Sequence, residues 1–569
     1  MTRFSSLASL GIALCGLSAC GSRPHPAPAP AEIPTAPHDD LNRIVDRYWD
    51  ERVPSGNPLS AQYLADSLGI ERRFLTEVLA ISRATLDAQA RLTYDIFKRR
   101  RAQNIEGLTY PSELMPISPF DGEPQQLALA AADIAQHPFK TAKDYQNWQL
   151  AIDEHVRWIG QAIRNMREGM RRGYTSPQVL MERMLPLLDA LGHDSPDNVF
   201  FGPARTLPPT LVEPDRNRVA NSLTGAVKNR LLPAYRELHD FLQNEYLARA
   251  RASIGLSALP LGPSWYSSLV RRAAGPQATP GDIHAIGVAE VERLRARLAA
   301  LPAGTASPAA APPAAALPAA EIQPLNAYQE LKLQALAAMP ALFAALPPAD
   351  FEIRALAPVS EGFPSLAYRA AAGGPAILYV NTPGGVPSAK VETAAFLMEA
   401  IPGRHLQSAI QRQRTDLARF RRFGSDPAFA DGWALYAASL GDELGMYRDD
   451  AAKRGALMAQ LKCAAALVVD TGIHAENWTR TQAAGYLRTQ LSAAEAAAES
   501  MADQIIASPG SSLACKMGEL KIRALRSRAL EMLGSRFDIH EFHSEILKDG
   551  AMPLDLLEAK INLWTAARR

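Results

Sequence analysis

Glu399 and its neighbours are the residues of this chain whose types and spacing point most directly to chemistry. Residues 398–407 read Met-Glu-Ala-Ile-Pro-Gly-Arg-His-Leu-Gln, on a helix predicted to open near Glu392. A His-Glu pair on a helix is how zinc peptidases hold a metal and a general base on one face. Here Glu399 is in place to be the base, but the residue before it is the thioether Met398. Further on, Asp470 and His474 are four residues apart, a spacing that lets a carboxylate orient an imidazole on one helical face. Each residue also has a plainer reading. Met398 packs into a core, Glu399 is a buried carboxylate held by Arg404 or another basic group, and His405 and His474 are satisfied core histidines.

The elements that must position these groups are mostly helical. Long amphipathic patterns run over 145–172 and 216–251, broken by Pro-rich loops near 115–122 and 201–209. Three short strands are predicted at 351–355, 366–370 and 376–381, separated by Gly and Pro turns. The last of them leads through Thr382-Pro383-Gly384-Gly385 into the helix that carries Glu399, so a strand edge beside that helix would suit an extended peptide. Helices then follow at 407–420, 428–446, 453–474, 481–490, 493–506 and 515–534. The fold expected is mainly α, a large two-lobed helical body with a small β-sheet before the motif helix.

The chain has 569 residues, an apolar share of 47%, and 60 basic against 59 acidic residues. That is long enough for a large core and carries no basic footprint for nucleic acid. Arg3, an apolar run over 7–17 too short to span a bilayer, and Leu17-Ser18-Ala19-Cys20 together read as a lipoprotein signal peptide over 1–20, with Cys20 lipidated. A Pro/Ala-rich tether follows over 21–38, the folded domain is expected over 39–569, and a low-complexity Ala/Pro insertion falls at 303–320. Gly21 after the lipid-bearing cysteine favours the outer membrane, facing the periplasm. Cys463 and Cys515 remain in the mature domain, and either a disulfide or two buried thiols fits the sequence.

The ordered motifs place the chain beside a known family. They are Ser118-Pro119-Phe120-Asp121-Gly122, Gly281 to Gly287 with Glu290, Glu399-Ala400-Ile401-Pro402-Gly403 with His405-Leu406-Gln407, Gly432-Trp433-Ala434-Leu435-Tyr436, Val469 to Ala475, and Lys516 with Gly518-Glu519. Over 40–562 the sequence resembles the bacterial lipoproteins grouped as domain of unknown function 885, which look like distant relatives of helical zinc carboxypeptidases and oligopeptidases. The resemblance implies a zincin-like, oligopeptidase-like fold. It also implies a motif His-Glu-Ala-x-Pro-Gly-His-His-Leu-Gln, followed by a Glu before Gly-Trp-Ala-Leu-Tyr, with His and Glu as zinc ligands. Mapped onto this chain, Met398 stands at the first histidine, Arg404 and His405 at the next two, and Asp431 at the downstream Glu. Ser511 and Cys515 stand where the family has Gln and a Tyr able to stabilise an oxyanion.

These substitutions weaken a zinc site. Catalytic zinc takes three protein ligands from His, Asp, Glu or Cys, whereas Met suits copper(I) and Arg404 brings a fixed positive charge. The function expected is therefore that of an envelope-anchored, metallopeptidase-like lipoprotein that binds peptides or an envelope partner without hydrolysis, Glu399 and His474 lying among the contacts. No cofactor is expected on that reading. The alternative is an active zinc peptidase rebuilt around Glu399, His405 and Asp431. No Gly-x-Ser-x-Gly elbow, phosphate loop, dinucleotide fingerprint or Cys-x-x-Cys spacing occurs, which sets aside serine-hydrolase, nucleotide and redox chemistries. Trp265, Tyr266, Trp433 and Tyr436 are candidates to line a cleft, or else core aromatics.

Overall fold

A computed structural model describes residues 37–120, 122–136, 139–302, 322–344, 349–356, 366–370, 375–381 and 392–569. The signal peptide with Cys20, nearly all of the tether, Asp121, the 303–320 insertion and the 382–385 turn lie outside the described residues.

The fold is mainly α-helical, as the periodicity predicts, and it is organised around two hydrophobic cores. One gathers the first helices (Pro37–Glu51, Ala61–Leu79, Ala88–Gly107), the sheet, the motif helices and the C-terminal helices. The other gathers Ala142–Arg172, Gln178–Gly192, Leu232–Phe241 and their neighbours. The helix Asp450–His474 serves both, because Ala456 belongs to the first core and Leu457, Leu461, Val468 and Val469 lie in the second. Its N-terminus is fixed by Asp449, whose carboxylate accepts from the Ala452 N–H at 2.7 Å. It is long and apolar enough to cross a membrane, yet 83% of its most apolar window is buried inside the fold. A helix apolar on all sides is the expected centre of a large helical protein.

The strands fall where the alternation places them: β1 is Phe351–Leu356, β2 is Leu366–Arg369 and β3 is Ala376–Asn381. Their order is β1-β3-β2, with β1 parallel and β2 antiparallel to β3. β2 is thus an edge strand, and it packs next to the helix Thr393–Glu399.

Two departures from the predicted helices have local causes. The motif helix ends at Glu399 and a new one starts at Arg404, giving Arg404–Gln413 rather than 407–420. Pro402 has no N–H to continue the ladder, and the residue before a proline avoids the α region. Gly403 makes the corner possible, since a Cβ there would lie 1.9 Å from the Met398 carbonyl oxygen. The pattern over 216–251 is also not one regular helix. Five-residue π turns at Val227–Leu231 and Leu242–Tyr246 interrupt it, shifting the face that its apolar residues present.

Close helix packing then sets the site. The helices Pro427–Ser439 and Leu513–Leu533 cross where Gly432 meets Gly518, and a Cβ on Gly432 would sit 2.3 Å from the Gly518 Cα. Only glycine permits that approach, which draws Asp431 towards the start of the second helix. Gly287 does the same for the helix Pro280–Ala299, where a Cβ would press on Leu467 at 2.5 Å.

Candidate functional site

Arg404 occupies the centre of the motif. Its Nε donates to Glu399 Oε1 at 3.0 Å and its Nη1 donates to Asp431 Oδ1 at 2.6 Å. The three side chains are 19%, 15% and 23% exposed, so the triad is largely buried. The second oxygen of Glu399 accepts from the Tyr368 N–H of β2 at 3.2 Å. Burial lowers the pKa of Arg404, but the charges of Asp431 and Glu399 outweigh it and hold the guanidinium above its ordinary value. The corner at Pro402 and Gly403 produces this geometry: it turns the Arg404 side chain back onto the carboxylate five residues earlier.

His405, expected beside Asp431, is turned the other way. Its Nε2 meets the Ala349 carbonyl at 2.7 Å, Tyr368 Oη approaches Nδ1 at 3.4 Å, and its ring lies 4.6 Å from that of Phe351. Burial lowers its pKa, so the neutral ring donates to Ala349 and secures the sheet to the helix. Among the described residues, no three His, Cys, Asp or Glu side chains converge as a metal group would require. The residues present do not fit a zinc ion at the motif: both carboxylates already face a fixed cation, and the remaining imidazole is held by the sheet.

His474 corrects the sequence reading more sharply. It does not pair with Asp470 and does not face a cleft; it is 1% exposed. Its Nδ1 accepts from the Leu256 N–H at 3.0 Å and its Nε2 meets the Ile505 carbonyl at 3.1 Å, which fixes a neutral ring. Desolvation pushes its pKa down to about 3. Asp470, also fully buried, instead accepts from Tyr266 Oη at 2.7 Å and from the Gly510 and Ser512 N–H groups at 3.0 and 3.3 Å. Burial raises it to about 6 against the pull of those donors. The pair of residues thus ties two separate loops to one helix end.

The remaining candidates are structural in placement. Ser511 Oγ donates to the Ser508 carbonyl within its turn at 2.7 Å. Trp433 is fully buried with its indole N–H on the Pro402 carbonyl at 2.9 Å, bracing the corner before Arg404. Tyr436 hydrogen-bonds His543 at 2.8 Å, Tyr266 is buried against Asp470, and Trp265 stacks on Tyr110 at 5.4 Å. Trp433, Tyr436 and Tyr266 are core residues rather than cleft lining. Met398 packs against the cluster of Leu435, Cys463 and Cys515, and both cysteines are buried free thiols in this structure.

Beside the thiols lies an ion network that the motifs named without assigning a role. Lys516, with no exposed surface, donates to Glu519 at 3.0 Å and to Glu290 at 3.4 Å. Arg293 clasps Glu290 with two bonds of 2.8 Å, and Arg523 reaches Glu519 at 3.0 Å. Such a network is satisfied at every charge, the condition under which buried ions are tolerated. Sequence spacing could have suggested the pairs within one helix, Arg293 with Glu290 and Lys516 with Glu519. It could not have joined the two helices.

With this geometry in view, the comparisons locate the chain among known proteins. The family described as bacterial protein of unknown function (DUF885) matches residues 48–561. The chain belongs to that family. Its fold is similar to the crystal structure of the "putative lipoprotein from Colwellia psychrerythraea", at TM-score 0.77 and 23% identity over 94% of this chain and 98% of that one. It is also similar to that of a "putative lipoprotein of unknown function from Shewanella oneidensis", at TM-score 0.62 and 13% identity over 92% and 99%. At these identities the likeness shows the fold. Among curated proteins no match is found.

Proposed function

We propose that this DUF885 chain is a lipid-anchored envelope protein, built on a peptidase-like scaffold, that holds peptides or an extended segment of an envelope partner without cleaving them. The observation that carries the reading is Arg404 between Glu399 and Asp431. A metallopeptidase needs an ion to acidify water and polarise the scissile carbonyl, and a carboxylate free to move the proton. Here one Glu399 oxygen receives the guanidinium and the other an edge-strand N–H. Cys515, at the position the family resemblance gives to a phenol, is a buried thiol and a poor donor to an oxyanion. β2 supports the binding half of the reading only through the main-chain groups that Glu399 leaves open, since its Tyr368 N–H is already taken.

The assay is mass spectrometry of a mixed peptide library incubated with the purified domain and recovered by size separation. The expected result is a subset of peptides retained and none shortened, with or without added zinc. Cleavage that a chelator stops and Glu399→Gln abolishes would overturn the non-hydrolytic reading in favour of a zinc peptidase.

Anchoring has its own test. The Leu17-Ser18-Ala19-Cys20 sequence and the description of both similar structures as lipoproteins support attachment through Cys20, with an outer-membrane, periplasm-facing address following from Gly21. Cys20→Ala should abolish labelling by a fatty-acid probe and move the protein out of the membrane fraction. Undiminished labelling of that variant would remove the anchor from the proposal.

A further inference from the structure

Behind the Arg404 triad, three sulfur side chains come together from three helices. Met398 extends from Thr393–Glu399, Cys463 from the middle of Asp450–His474, and Cys515 from the first turn of Leu513–Leu533. The two cysteines lie in one buried cluster, each is 6% exposed, and neither is in a disulfide. Met398 packs against both, and Leu435, with no exposed surface, closes the cluster. Met398 is only partly buried, unlike the two thiols.

A buried cysteine is usually no more than a small apolar side chain. Two in mutual contact with a thioether form a different chemical object, since the group offers three soft donors and an apolar wall. Zinc closes its structural sites with four ligands drawn from nitrogen, sulfur and oxygen. Thiolate and thioether sulfurs without hard partners select a soft ion, copper(I) above all. We infer that Met398, Cys463 and Cys515 form a binding site for one copper(I) ion.

The step balances without electron transfer. Copper(I) replaces the two thiol protons: two S–H bonds break, two Cu–S bonds form, and two protons leave to solvent. The Met398 thioether adds a neutral third bond, and the ion remains in its +1 state. The site then carries one net negative charge, which the nearby Lys516 and Lys462 charges favour and the Asp431 carboxylate opposes.

The test is a titration of the reduced, folded mature protein, in which Cys463 and Cys515 are the free thiols, under anaerobic conditions with copper(I) held by bicinchoninate, read from loss of the coloured chelate. One ion per chain should transfer to the protein, with a sulfur-to-copper absorption band in the ultraviolet. Cys463→Ser and Cys515→Ser should each lower the affinity at least a hundredfold. Met398→Leu, which keeps the volume and removes the sulfur, should lower it about tenfold while leaving the thermal midpoint near that of the wild type. The inference falls if no copper transfers, if Met398→Leu binds as tightly as the wild type, or if a protein lacking both cysteines still takes one ion. It also falls if non-reducing mass spectrometry of protein taken directly from the envelope shows Cys463 and Cys515 already joined.

Discussion

Replacing Arg404 by alanine should destabilise the domain by about 3 kcal/mol at neutral pH, the usual cost of removing one partner from a buried ion pair. Glu399 and Asp431 would then face each other with no cation between them. The loss should show as a lower urea midpoint with an unchanged slope. A companion variant tests what the guanidinium replaces. Met398→His with Arg404→His gives back the nitrogen ligands that the family resemblance places there and frees both carboxylates. Zinc should then raise the thermal midpoint of the double variant, with affinity at least tenfold above the wild type, or about 1.4 kcal/mol. If Arg404→Ala costs less than about 1 kcal/mol, the triad is a surface ornament of the fold. If zinc stabilises the wild type as much as the double variant, the motif alignment is wrong.

How much of this was legible in the sequence depends on the distance over which each feature is decided. β1, β2 and β3 were readable because alternation and turn residues act over a few positions, and the three observed strands start at the predicted residues. The Asp450–His474 helix was equally plain, with its apolar run and its capping aspartate. The corner at Pro402 was also written in the chain, though only the structure shows its consequence, that Arg404 is carried back onto Glu399. His405 illustrates the opposite case. Its neighbours in sequence point to a ligand, while its partners, Ala349 and Phe351, come from a segment some fifty residues earlier that no local pattern connects to it. The Gly432 and Gly518 crossing belongs to the same class. Glycine in a helix lowers its propensity, and only the facing helix explains why both are there.

His474 should govern the acid sensitivity of the domain. Its folded pKa is depressed to about 3, whereas an unfolded histidine titrates near 6.5, so below 6.5 protons bind the unfolded chain first. The stability contributed by the neutral, buried ring is therefore present above pH 6.5 and is lost as the pH falls towards 3. At pH 4 the loss amounts to about 3 kcal/mol, at 1.36 kcal/mol per pKa unit. Asp470 acts in the reverse sense: raised to about 6, it gains a proton in the folded state first and adds stability as the pH falls from 6 towards its unfolded value. His155 and His543, both depressed to about 4, add to the acid loss. These other groups are common to the wild type and to His474→Gln, so the difference between their pH profiles isolates position 474. His474→Gln should be less stable than the wild type at pH 7.5, having disturbed the bonds to Leu256 and Ile505. Its deficit should shrink by about 3 kcal/mol by pH 4, read from urea midpoints. Parallel profiles for the two proteins would mean that His474 is hydrated and titrates normally, which would return it to the candidates for contact with a ligand.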